Sequence, residues 1–266
     1  MDTSLTLALA ALPTPLAILV AIGIPALIAF AIGHAVFAIF TEQDLAQNAF
    51  MASVKFGFVV EIYATVAALV LVGAWDIYQT ARDTLQQEAG ALYMLALSVD
   101  TYNKPDQAEL RDAMRAAIRS YAASVVSQDW PALQSGIVST ASDATFQQLS
   151  RVFLDAEPVT AAQQALAANT PPWLAQAAEA RIARLSVTSH TLSALVWFLV
   201  MLVSVAVIIF QWFFGSRNQG LHYALGGVTV AIIGCVLLVA AKLAHPFAGD
   251  APLLSARPFL ELMRLP

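Results

Sequence analysis

Four long apolar runs, separated by one polar block, dominate the pattern of residues along this chain. The runs cover residues 16–40, 56–74, 192–214 and 224–244, and the polar block covers about 76–188. Each run is close to the roughly 20 residues that a helix needs to cross the hydrocarbon of a bilayer. The pattern therefore predicts an all-α polytopic membrane protein, with two transmembrane helices before a helical domain and two after it.

The second apolar run continues into the polar block without a proline, and only Gly57, Gly73 and Gly90 weaken it. We therefore expect one helical rod from about 52 to 98. The predicted organisation is an N-terminal segment (1–15), a first transmembrane helix (16–40), a second (52–75) continuing as a cytosolic helix to about 98, a cytosolic helical domain (76–190), a third transmembrane helix (191–214), a fourth (222–244) and a C-terminal tail (245–266).

Prolines divide the rest of the polar block. Because the residue before a proline disfavours the helical conformation, each proline marks an expected helix boundary. The sequence contains no alternating strand pattern of useful length. Helices are expected at 106–129, 132–155, 159–168 and 173–190.

Composition places the chain in a membrane. Its residues are 59% apolar and 12% charged, and the mean hydropathy is +0.71, far outside the range of soluble domains. No basic residue precedes the first apolar run, and Pro13 and Pro15 interrupt the stretch where the apolar region of a signal peptide would lie. We therefore expect no cleaved signal peptide. The only cysteine, Cys235, excludes an intrachain disulfide and a zinc site of the usual thiolate kind.

Basic residues near the membrane favour one orientation. One side of the membrane carries more of these basic residues. The other side has only Lys55 and Arg217. The positive-inside rule then predicts that the N-terminus, the central domain and the C-terminus lie in the cytoplasm. We expect a multi-pass protein of the cell inner membrane. The residues that set this bias are Arg82, Arg181, Arg184, Lys242 and Arg257.

Glu61 is the most informative single residue, because a carboxylate inside a membrane span is costly and normally faces a polar partner or a water-filled path. Heptad spacing places it on one stripe with Ala68, Trp75 and Arg82. Tyr78 joins the stripe four residues before Arg82. The stripe is either the lining of a conduction path or oligomer axis, or a packing seam, and the sequence leaves both open.

His34 is the first expected partner of Glu61. If the first two spans form a hairpin around a turn at 41–51, a rise of about 1.5 Å per residue puts the two side chains at comparable depths. His34, Glu61 and Lys55 are therefore the candidate polar groups of a pore or of the membrane interior.

Other chemistry is not indicated. The sequence contains no HExxH, GxSxG or glycine-rich phosphate motif and no metal-ligand spacing, so neither an enzyme nor a cofactor is expected. The central block is net acidic, which argues against a nucleic-acid partner. Arg111, Arg115 and Arg119 would line one side of a helix. They would either bind an anion or a lipid headgroup, or form a solvated face paired with acidic neighbours.

Several strings together resemble the bestrophin-like family of bacterial and plastid membrane proteins, a domain of unknown function. Within them, Trp75, Tyr78, Arg82 and Glu88 form the most specific part, and Pro246, Phe247 and Gly249 mark a second motif in the tail. The strings are EIYA at 61–64, WDIYQTARD at 75–83, QEA at 87–89, DWP at 129–131, FFG at 213–215 and PFAG at 246–249.

This resemblance implies a homo-oligomer, because bestrophins are oligomeric anion channels with a pore on the symmetry axis. The expected partners are thus the lipid bilayer, further copies of the chain and an inorganic ion. Charge gives no independent support for anions, since an exposed acidic vestibule would favour cations. The competing hypothesis is a non-conducting sensor or scaffold whose cytosolic helices bind a partner protein.

Overall fold

The computed structural model describes residues 3–188, 192–214 and 218–265. Arg217, one of the residues used to orient the chain, and Gly215 of the FFG string lie outside these ranges. The described residues contain helices, turns and irregular segments, with no strand among them. The all-α prediction is therefore confirmed.

Four of the described helices are long and apolar enough to cross a membrane. Helix α1, Thr3–Ala11, precedes them. The first of the four, α2, covers Thr14–Ile39 and contains a π-helical turn at Leu19–Gly23. The second is α3, Glu42–Val99. The third and fourth are α9, Ala194–Phe210, and α10, Gln219–Ala244.

Helix α3 begins ten residues earlier than the predicted rod, so the expected turn at 41–51 is wrong. Thr41 explains the early start. Its hydroxyl accepts a hydrogen bond from the Asp44 backbone N–H at 3.2 Å, and its own N–H donates to Asp44 Oδ2 at 3.1 Å. Such reciprocal capping satisfies backbone donors at a helix start. Neither proline nor glycine follows until Gly57, so the helix continues.

The chain divides into two compact units, which we call the membrane unit and the polar unit. The membrane unit comprises Met1–Ile77, Thr191–His245 and Gly249–Ala251, and the polar unit comprises Tyr78–His190, Pro246–Ala248 and Pro252–Pro266. Helix α3 contributes residues to both.

In the polar unit, the break expected at Trp130–Pro131 is wrong. Helix α4, Ala108–Ser124, continues through a π-helical turn, Val125–Asp129, into α5, Trp130–Gln134. The π-helical turn changes the backbone hydrogen-bond pattern just before Pro131, which has no N–H to donate. The actual break follows at Gly136, whose φ of 72° suits glycine. The remaining helices are α6, Asp143–Leu154; α7, Ala161–Ala167; α8, Thr170–Ser186; and α11, Arg257–Leu262.

Trp212 forms the centre of one core cluster in the membrane unit, together with Ala29, Val36, Leu45 and Val230. Tryptophans near the end of a span are often anchors in the headgroup layer, but the Trp212 side chain is fully buried. Small residues explain this. A Cβ added at Gly33 would lie 2.6 Å from the Trp212 ring, and one added at Gly226 would lie 2.8 Å from it. The two glycines therefore provide the space that the indole fills.

Candidate functional site

One face of α3 packs within the membrane unit. Val70 and Ala74 are buried in a cluster with Trp197 and Val200 of α9. Three small residues of α10 complete that cluster, which lets the helices approach closely. They are Ala240, Ala241 and Ala244. This packing determines which side of α3 is left for other partners.

The opposite face of α3 is exposed and carries the predicted stripe. Glu61 and Ala68 are exposed, and Trp75 is 52% exposed. Thr65 is exposed beside them, and its hydroxyl donates to the Glu61 backbone carbonyl at 3.0 Å. We call Glu61, Thr65, Ala68 and Trp75 the exposed stripe. Within the described ranges, no hydrogen bond or ion pair engages the Glu61 carboxylate.

The expected pairing of His34 with Glu61 loses its basis. His34 lies five residues before the end of α2, or about 8 Å along the helix, whereas Glu61 lies nineteen residues after the start of α3, or about 28 Å. The equal depths required the turn at 41–51, which is helical. His34 is itself exposed, and the described residues contain no ion pair between the two.

Lys55 is exposed on α3, between one and two helical turns before Glu61. It borders an open depression of about 660 Å³ in the membrane unit. Asp44 lies on the rim of the same depression, and Phe210 and Phe213 form an apolar wall. Lys55 therefore belongs to a different surface from the Glu61 carboxylate.

Glu88 lies in the polar unit and is fully buried, in contrast to Glu61. Its Oε2 accepts a hydrogen bond from Arg184 Nε at 2.6 Å, and its Oε1 accepts one from Arg184 Nη2 at 3.2 Å. The Tyr121 hydroxyl donates to Glu88 Oε1 as well. Arg184 also reaches Asp129, with Nη2 3.4 Å from Oδ2. This buried ion cluster joins α3, α4 and α8.

A second arginine extends the buried ion cluster. Ser142 Oγ donates to Asp129 Oδ2 at 2.6 Å. Arg181 Nη2 in turn donates to Ser142 Oγ at 3.0 Å and forms an ion pair with Asp143. Buried charges are tolerated only when they are paired and hydrogen-bonded. The network therefore fixes how α6 and α8 pack against the rest of the polar unit.

The electrostatics of the cluster follow from burial and from the charge of Glu88. Burial raises the pKa of Tyr121 well above its usual value, and the Glu88 carboxylate adds to that shift. Burial alone would lower the pKa of Arg184, but Glu88 outweighs it and raises that pKa. Tyr121 therefore stays protonated and Arg184 charged across the physiological range.

Sequence reasoning selected Glu88 but missed its partners. Arg184 is 96 residues away from Glu88 and Tyr121 is 33 residues away, so no local spacing could indicate them. One signal was present. Arg181 and Arg184 lie three apart on an alanine-rich helix, and the DWP string contains Asp129.

The other residues of the family motif do not join this cluster. Arg82 is exposed, and Tyr78 is half-buried. Arg82 and Glu88 are six residues apart on one helix, so they point to different sides. The arginine series on α4 is partly paired, since Arg111 lies 3.7 Å from Asp112 and Arg115 lies 3.0 Å from Asp100.

The tail motif is structural. Phe247 is buried and packs its ring edge-on against Trp130, with ring centroids 5.4 Å apart. The Leu254 N–H donates to the Pro246 carbonyl at 3.1 Å and closes the turn. In the membrane unit, Gly249 has a φ of 75°, and a Cβ there would lie 2.4 Å from the Ala11 carbonyl oxygen. Only glycine fits that position.

The end of α10 is attached to α1. Lys242 Nζ donates to the carbonyls of Ala10 at 3.0 Å and Leu12 at 3.3 Å. His245 Nε2 and Thr6 Oγ1 share a hydrogen bond of 2.9 Å. Burial lowers the pKa of His245 from 6.5 to about 4.

This shift predicts a loss of stability in acid. Between pH 6.5 and about 4 the unfolded chain binds a proton at His245 that the folded chain does not. Stability therefore falls as the pH drops through this window, by roughly 3 kcal/mol at most. Thermal unfolding in detergent micelles at several pH values measures it. In His245→Gln this part of the pH dependence should vanish, and an unchanged acid slope would contradict the assignment.

Metal chemistry finds no support among the residues that the structure describes, since they contain no cluster of three or more histidine, cysteine or carboxylate side chains that could hold an ion. The two sites that remain are the exposed stripe in the membrane unit and the buried ion cluster in the polar unit.

Solved structures share this fold. Two point mutants of a bacterial bestrophin homolog from Klebsiella pneumoniae match with TM-scores of 0.66 and 0.65, at 9% and 11% sequence identity. The matches cover 93% of this chain and 99% and 98% of those chains. A structure described as a membrane protein matches with a TM-score of 0.63 at 9% identity, covering 93% of this chain and 99% of that one. At such identities the similarity establishes the fold alone.

Sequence comparison gives the family. No curated protein shows significant similarity to the chain. The family model of the Bestrophin-like domain, however, matches residues 20–253, which is most of the sequence. The protein is therefore a membrane protein that belongs to the Bestrophin-like domain family.

Proposed function

We propose that the protein is a subunit of a homo-oligomeric ion channel of the cell inner membrane, and that the exposed stripe of α3 lines its conduction path. By analogy with bestrophins, the conducted ion is an anion. The charge bias of the sequence supports a cytoplasmic location for the polar unit and both termini.

The exposure of the Glu61 carboxylate is the observation that carries this proposal. In a single chain, the carboxylate would face lipid without a partner, which is costly. The packed face of α3 is already occupied by α9 and α10. The stripe therefore needs water or a second copy of the chain. An oligomer with α3 near its axis supplies both.

A scaffold remains the second candidate, and one observation favours it. The polar unit has large apolar side chains that are more than half exposed although no bilayer would cover them. Such residues are typical of protein contact surfaces when they form a patch. They are Ile137, Val138, Leu154, Val159 and Ile182.

Ion flux from liposomes tests the channel proposal. We expect the purified native chain to form an oligomer by native mass spectrometry and to release both chloride and potassium at measurable rates. Replacing Glu61 with glutamine removes a negative charge that repels anions in a low dielectric. The ratio of chloride to potassium flux should therefore rise several-fold.

Glu261→Gln is the matched control, because Glu261 is an exposed carboxylate of the polar unit paired with Arg257. It should leave the flux ratio at the native value. An oligomer that releases no ion under any tested pH or voltage would favour the scaffold. Native flux with an unchanged ratio in Glu61→Gln would remove Glu61 from the path.

A further inference from the structure

An apolar cavity of about 240 Å³ lies inside the membrane unit, between α2, α9 and α10. Its floor is formed by Ser204, Val230 and Ile233, which are buried. Its mouth is formed by Ile28 of α2 with Val205 and Ile209 of α9, which are exposed. The cavity therefore runs from the outer surface of the helices to their core, and it lies away from the exposed stripe.

The lining offers nothing to a polar ligand. Ser204 carries its only side-chain hydroxyl, and that group donates to the Val200 carbonyl at 2.7 Å. An apolar cavity without polar partners does not hold water, and one of about 150 Å³ is large enough to bind benzene. The cavity is thus suited to a hydrocarbon group larger than benzene.

The backbone keeps the cavity from closing. At one edge, α10 already touches α2, since a Cβ added at Gly234 would lie 2.5 Å from the Ala21 carbonyl oxygen. The two helices cannot approach further there. On the α2 side the cavity is also lined by Pro25, which follows the π-helical turn. If the cavity were empty, the side chains that line it would lack dispersion contacts on one side.

We propose that an acyl chain of a membrane lipid occupies this cavity. The mouth lies on helices that are apolar enough to span the bilayer, so hydrocarbon is the solvent in contact with it. The aliphatic lining matches a lipid tail and excludes its headgroup. This lipid site is separate from the proposed conduction path and does not depend on conduction.

Photo-crosslinking in liposomes tests the proposal, using phosphatidylcholine with a diazirine in one acyl chain as the probe. Labelled peptides are identified by mass spectrometry. We expect the labels to concentrate on residues lining the cavity. Val205→Trp places a bulky ring at the mouth and should reduce this labelling several-fold, and Ile28→Trp should do the same from the opposite helix.

Leu202→Trp is the matched control. Leu202 lies one turn before Val205 on α9, is similarly exposed at 53% against 46%, and does not line the cavity. It should leave the cavity labels unchanged. Equal labelling in all three variants, or an equal loss in all three, would overturn the proposal. Crosslinks from the mouth to a second copy of the chain instead of lipid would also overturn it.

Discussion

Replacing Glu88 with alanine is expected to lower the free energy of unfolding by about 3–5 kcal/mol, the usual cost of leaving a buried charge without its partner. Glu88 and Arg184 are both fully buried, and Arg184 would lose both hydrogen bonds to the carboxylate. The Tyr121 hydroxyl would lose its acceptor at the same time. Denaturant unfolding in detergent micelles measures the loss.

Arg257→Ala is the control for this prediction. Arg257 and Glu261 form an ion pair in the same unit with Nε 2.9 Å from Oε1, but their side chains are 81% and 61% exposed. Exposed pairs contribute at most about 1 kcal/mol. If Glu88→Ala and Arg257→Ala cost the same, the buried ion cluster does not hold the polar unit together.

Replacing Trp212 with alanine should have an effect of similar size in the membrane unit. Removing a fully buried tryptophan leaves a cavity and typically costs about 3–5 kcal/mol. Trp212 fills the space beside Gly33 and Gly226 and packs edge-on against Phe37, with ring centroids 6.4 Å apart. The same unfolding measurement applies.

A double-mutant cycle distinguishes this packing from a general effect of losing a large side chain. Gly33→Ala alone should destabilise the protein, because its Cβ would lie 2.6 Å from the Trp212 ring. In the Trp212→Ala background the ring is absent, and the same change should cost little or even stabilise the helix. An equal cost of Gly33→Ala in both backgrounds would show that the two residues do not interact.

The sequence predicted the all-α class and four helices long enough to span a membrane, because apolar runs and their length carry that information locally. The positions where helices begin and end depend on local interactions such as capping hydrogen bonds. The cap formed by Thr41 and Asp44 places the start of α3 earlier than expected. Pro131 follows a π-helical turn inside a continuous helix and does not end it. A Thr–Asp pair and a proline can each occur either in a turn or in a helix, so the local sequence does not decide between the two uses.

Local sequence patterns did not predict the tertiary contacts. Trp212 lies near a span end, where an interfacial anchor and a core residue have the same sequence signature, and only Gly33 and Gly226 distinguish them. Glu61 and Glu88 were both singled out, yet one is exposed in the membrane unit and the other is buried against Arg184. Long-range pairing decides that difference.

If Glu61 faces a water-filled path, a charged reagent must be able to reach this position from water. Cys235 is exposed and is first replaced with alanine, so that Glu61→Cys supplies the only thiol. Val239→Cys, at an exposed position of α10, serves as the control for a lipid-facing site.

A charged, membrane-impermeant thiol reagent is then added to liposomes while ion flux is recorded. We expect the reagent to modify Glu61→Cys and block its flux, whereas Val239→Cys should stay unmodified and conducting. Flux through Glu61→Cys that continues unchanged, with the thiol unmodified in the folded protein, would show that Glu61 does not face a water-filled path.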